Sequence, residues 1–273
     1  MVRFLRRVLE SFESHKNSKS AAAIAYYTLF SIFPLLLFVL YGASFIFNSA
    51  ESRQVLSTYL QGLFPYGAEN LSEIIEETWR ARGSIGVVSG IALLWGGSSI
   101  FSVLEVSLSQ IWNTLPRPFY RRRLLGILAV ITLMIIFIIS FFVGPLTSLL
   151  LDNSGLSQQT MSYLIEMVSL TIVLMLLYRI FPNATVHWGA AFSGAFSATV
   201  LVMIAKFGFR LYTILVIQRS GLLYGSLTWF LILALWVYLL AVLTLFGAEF
   251  AATFQQRQRI LAALAQQQNS GSG

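Results

Sequence analysis

Residues 201–216 read LVMIAKFGFRLYTILV, an apolar run interrupted by two cations, Lys206 and Arg210. Positions i and i+4 share one face of a helix, so both charges point the same way. A run of this length and character fits a helix crossing a bilayer. The surrounding composition agrees: of 273 residues, 57% are hydrophobic and only 11% charged, which is not the make-up of a soluble domain. The chain therefore reads as an all-α, polytopic membrane protein. Its continuous Leu, Ile and Phe runs exclude an outer-membrane barrel, which needs alternation in segments of about ten residues.

The composition also removes several chemistries. Without cysteine there are no disulfides, thiolate metal sites or thiol redox steps. Only His15 and His187 are available, too few for a histidine-rich metal hydrolase. No lysine-bearing phosphate loop accompanies Gly96 and Gly97, so the chain is not expected to hydrolyse nucleotide. No metal, no cofactor and no enzymatic activity are expected. The net charge of +7 comes from cations beside apolar runs, where topology signals lie, so no nucleic-acid partner is expected either.

Six stretches are long enough to cross a core that takes about 20 helical residues. They lie near 21–47, 85–112, 124–151, 160–181, 188–212 and 222–252. Twelve Lys and Arg fall in one set of alternate segments, namely the N-terminus, the loop holding Arg117 and Arg121 to Arg123, Arg179, and the tail. Four, Arg53, Arg80, Arg82 and Arg219, fall in the other, which puts both termini in the cytoplasm. Residues 1–20 form an amphipathic segment, with Val2, Leu5, Val8, Leu9 and Phe12 on one face, expected to lie along the cytoplasmic surface. Residues 21–252 form the transmembrane domain, and 48–84 read as an outer insertion of two short amphipathic helices. That insertion is either an interfacial cover or a vestibule that collects substrate. The tail, 253–273, ends in QQQNSGSG and reads as disordered.

Packing signals are internal. Gly86 and Gly90 form a small-residue ridge in the second span, and Gly189, Ser193 and Ser197, beside Ala190, Gly194 and Ala198, form a longer one in the fifth. The Ser193 and Ser197 hydroxyls could instead line a polar path. Pro34, about 20 Å into the first span, is expected to break that helix, leaving a carbonyl for Ser31 or water to satisfy. The WGGSS at 95–99 is expected to loosen the second span.

Counting residues gives the depth of each buried charge. Lys206 is roughly 27 Å along the fifth span, near its outer boundary, with Arg210 at or beyond it; Glu166 lies roughly 9 Å below the same surface, in the same outer layer. Glu105 and Glu249 fall at the cytoplasmic level, with Arg179 and Arg121 to Arg123 as expected cationic neighbours. These charges either reach for water as anchors, or act as outer and inner gates around a midplane cavity.

Several blocks resemble the YihY/BrkB family of membrane proteins: SAAAIAYYTLFSIFPLLL at 20–37, SLSQIWN at 107–113, KFGFRLY at 206–212, YGSL at 224–227 and LWVYLLAVLTLFGAE at 235–249. The resemblance implies a six-helix protein of the bacterial cytoplasmic membrane. Ribonuclease, virulence and transport labels have all been attached to the family. The nuclease label finds no histidine and aspartate cluster for two metals in this sequence. The expected function is a transporter or exporter of a small polar solute or lipid-like molecule, with membrane lipids as partners. A scaffold for envelope assembly and a channel are the alternatives. Oligomeric state is not legible in the sequence.

Overall fold

The computed structural model describes residues 2–46, 82–132, 155–224 and 226–270, all of them helix or short connection. The helices are α1 (Val2–Ser14), α2 (Asn17–Ile46), α3 (Arg82–Ile111), α4 (helical over 119–132), α5 (Gly155–Ile180), α6 (Trp188–Tyr224) and α7 (Ser226–Ser270). Five of them contain stretches long and apolar enough to cross a membrane: Asn17–Phe38, Gly86–Ile111, Tyr163–Ile180, Trp188–Thr213 and Phe230–Gln268. The expected span at 124–151 begins within α4, and its remainder lies outside the described residues. The same holds for the amphipathic insertion at 48–84, apart from the residues that open α3.

Polarity is distributed as a bilayer requires. Large apolar side chains such as Val87, Ile91, Ile165, Val173, Phe196 and Phe207 face outward, while Ser98, Ser107, Ser109, Thr171 and Thr199 are buried. Burial of apolar surface does not drive association between helices in lipid, so close backbone approach and hydrogen bonds must. α2 packs on α3 and α7, and α6 packs on α5 and α7. At the α6–α7 seam, a Cβ placed on Gly194 would stand 2.4 Å from the Gly247 carbonyl oxygen, so only glycine allows these backbones to meet. The buried ridge is thus Ala190, Gly194 and Ala198; Ser193 and Ser197 are only part-buried and donate to the Ala190 and Gly194 carbonyls of their own helix. Gly86 and Gly90 seat the rings of Tyr41 and Phe38 from α2.

Three expectations about local structure are corrected. α2 runs unbroken through Pro34, and Ser31 donates to the Tyr27 carbonyl rather than to Phe30, whose usual donor the proline removes. The WGGSS stretch does not loosen α3, which is continuous; Gly96 and Gly97 instead admit Ser31 of α2 and Val130 of α4. The tail is helical through Ser270, tied at its start by Gln255, which donates to the Thr185 carbonyl and accepts from the His187 amide.

α1, expected along the cytoplasmic surface, is docked on the bundle through one face. Val8 and Phe12 are buried, and Phe4 and Phe12 meet Phe250 and Phe246 of α7, while Leu5 and Leu9 stay exposed. Its apolar residues thus divide between a face docked on α7 and a face left open. Lys16, at φ 55°, takes the left-handed conformation that reverses the chain into α2.

Candidate functional site

Two buried carboxylates organise one end of the bundle, where the 15–16 turn and the loops 112–118 and 181–187 gather. Glu249, on α7, is 1% exposed. Its Oε1 accepts from His15 Nδ1 at 2.6 Å and from Asn17 Nδ2 at 2.7 Å. The α1–α2 reversal at Lys16 places both donors, because it turns the end of α1 and the start of α2 toward α7 together. A single carboxylate oxygen therefore fastens three helices.

Glu105, on α3, is fully buried. α3 ends in a reversal at Asn113, φ 53°, with the Asn113 and Thr114 amides donating to the Gln110 and Ser109 carbonyls. The chain then folds back alongside its own helix, so that the Arg117 amide donates to Glu105 Oε1 at 2.9 Å and its guanidinium stands 3.6 Å from the same oxygen. The guanidinium also donates to the Phe181 carbonyl at 2.6 Å, closing the C-terminus of α5, where a cation is favoured. Asn183 completes the joint through its amide to Ser109 Oγ and its side chain to the Leu115 carbonyl.

The opposite end carries a different pair. Lys206 of α6 donates to Glu166 Oε1 of α5, both side chains about two-fifths exposed. Depth counting from the sequence puts both in one outer layer, and here they touch. Arg210 is exposed and has no ion-pair partner among the described residues. Between the two ends, α5 and α6 are joined by Thr171 Oγ1 donating to Thr199 Oγ1 at 3.0 Å. Lower on α5, the Tyr178 hydroxyl donates to the Thr244 carbonyl of α7 at 2.6 Å.

The expected cationic neighbours of Glu105 and Glu249 are not the ones found. Arg179 donates to the Val186 carbonyl and stacks on Trp188 with 4.4 Å to the ring centroid. Arg123 points to α3, donating to Ser99 Oγ at 3.0 Å and to the Trp95 carbonyl at 3.1 Å, its guanidinium over the Trp95 ring. The actual partners, Arg117, His15 and Asn17, escape sequence reasoning. Arg117 stands between Pro116 and Pro118, a rigid setting that could have marked it; for His15 the only signal is its place just before the first apolar run. Among the described residues, no three of His, Asp or Glu converge on a point where a metal could be held.

Residues 8–272 match the family described as virulence factor BrkB. A UPF0761 membrane protein of Prosthecochloris aestuarii is 30% identical over 90% of this chain, and the chain spans 60% of that protein's length. A ribonuclease-like protein, YfkH, of Bacillus subtilis is 27% identical over 94% of this chain and 97% of its own length. A UPF0761 membrane protein of Vibrio cholerae is 29% identical over 93% of the chain and 88% of its own. No solved structure matches. With the family match running almost from end to end over an all-helical bundle of membrane-length helices, the chain belongs to the BrkB family of membrane proteins.

Proposed function

We propose that the protein is a transporter of the bacterial cytoplasmic membrane that moves a small polar solute or a lipid-like molecule by alternating access, without enzymatic activity of its own. The observation that carries this reading is the pair of polar closures at the two ends of α5. Lys206–Glu166 joins it to α6 at one end, and the Glu105–Arg117 clamp ties its terminus to α3 at the other. Between these levels the Thr171–Thr199 hydroxyl pair is the one side-chain hydrogen bond joining α5 to α6 among the described residues, beside apolar packing in the cluster that holds Leu174, Ala191, Ala195 and Ala198. Charged closures at both ends with weak polar links between are what two gates flanking a midplane site need. The outer closure is half-exposed and therefore cheap to open, whereas the inner one is buried and needs a larger displacement.

Reconstitution in liposomes with a panel of labelled solutes and lipids tests this. Flux is expected with the wild type, reduced at least about tenfold when Glu166 or Lys206 is neutralised singly in a protein that remains folded. Flux unchanged by both neutralisations would remove the gate assignment. A second reading, an envelope scaffold, draws on the α6–α7 seam, where Gly194 and Gly247 pack backbone to backbone in the manner of a rigid body. It predicts that the purified protein moves nothing.

A further inference from the structure

Arg123 is the one described cation whose guanidinium sits well inside a span with only neutral acceptors. The rise from Trp95 to Ile111, the end of α3, is about 24 Å, and from Gly86 to Trp95 about 14 Å. The guanidinium on the Trp95 carbonyl is therefore far from both ends of that span. The Trp95 carbonyl is already occupied by Ser98 Oγ and Ser99 Oγ at 3.0 and 2.8 Å, so Arg123 shares a saturated acceptor. The three carboxylates described within the spans are committed elsewhere: Glu105 to Arg117, Glu166 to Lys206, Glu249 to His15 and Asn17. A cation held at this depth needs a counter-charge, and none of these provides it.

What lies beside it is aromatic and open. Trp95 is 59% exposed, Phe30 is 49% and Tyr26 is 64%. Their rings run in sequence, Tyr26 to Phe30 with 6.4 Å between centroids and Phe30 to Trp95 with 6.5 Å. The strip is continuous because α2 crosses α3 where Ser31 meets Gly96, which sets Phe30 and Trp95 side by side on the outward face. A fixed guanidinium at one end of an outward-facing aromatic strip fits a molecule with an acidic head and an acyl chain, and does not fit a free aqueous anion, which would gain nothing from the rings.

We infer that Arg123, Ser99, Trp95, Phe30 and Tyr26 form a lateral binding site for an acidic lipid, its headgroup on Arg123 and its chain along the aromatic strip. Its use as an entry port for cargo rests on the transport reading; the binding does not.

Brominated lipids test the site, because bromine on an acyl chain quenches a tryptophan in contact with it. The full chain is placed in phosphatidylcholine nanodiscs doped with brominated phosphatidylglycerol or with brominated phosphatidylcholine. The Trp95 component is obtained as the difference between wild type and Trp95→Phe. The expected result is half-quenching of Trp95 by the acidic lipid at a roughly tenfold lower mole fraction than by the zwitterionic one. Arg123→Gln should bring the two lipids to parity, Arg123→Lys should keep most of the preference, and Arg121→Gln should keep all of it. Equal quenching in the wild type, which requires no variant to fold, overturns the site; so does a preference that survives Arg123→Gln. Preference without flux in the liposome assay would leave the site and remove transport, and flux without preference would do the reverse.

Discussion

The two oxygens of Glu105 are used unequally: Oε1 takes the Arg117 amide, the guanidinium and Ser109, while the buried Oε2 has no partner among the described residues. That asymmetry separates two substitutions. Glu105→Gln keeps an acceptor for the amide and loses the charge attraction, so it should cost about 1–2 kcal/mol. Glu105→Ala also strands a guanidinium and leaves a cavity, and should cost about 3–5 kcal/mol. Thermal unfolding in detergent reads the difference, and equal losses would show that the carboxylate's charge does not hold the loop. Lys206 and Glu166 are legible as neighbours because depth follows from counting along a straight helix. Glu105's partner is not, since the loop 112–118 folds back beside α3 and defeats that count. Arg123 escapes for the same reason: the sequence sets it as a neighbour of Glu105 and Glu249, and the fold-back carries it to Ser99 and Trp95 instead.

At the level of whole helices, glycine marks where backbones meet, but only some glycines do so. Gly194→Ala would drive a Cβ into the Gly247 carbonyl and Ala251, both unable to yield, and should cost about 1–3 kcal/mol in unfolding. A Cβ added to Gly208, on the same helix, would meet nothing within 4 Å. Gly208→Ala should therefore be neutral or raise stability by about 0.5–1 kcal/mol. A reversal of that order would refute the seam. Small-residue spacing alone does not separate the two positions, because spacing names a face without saying what packs on it. Helix existence is legible from the apolar runs. The persistence of α2 through Pro34 and of α7 to Ser270 is not, since proline and a polar tail argue locally against a helix; α2 is held by its packing on α3 and α7, whereas the exposed end of α7 continues a helix tied at Gln255.

For the molecule as a whole, the distribution of Lys and Arg predicts both termini in the cytoplasm. Because the chain has no cysteine, single thiols introduced at Glu13 and Gln256 report this without interference. Both should react with an impermeant maleimide only in inverted vesicles, and labelling of either in right-side-out vesicles would reverse the topology. The same lack of thiols gives direct access to the proposed gate, Lys206–Glu166, which must open for cargo to pass. The decisive measurement is flux through liposomes holding the Glu166→Cys, Lys206→Cys double variant, before and after joining the two thiols with a reducible bifunctional crosslinker. A gate at this pair gives flux before crosslinking, because the double variant strands no lone charge as each single neutralisation does, then arrest after crosslinking and recovery on reduction. Undiminished flux through the crosslinked protein, or no flux at any stage from the wild type with any solute or lipid tried, would contradict it.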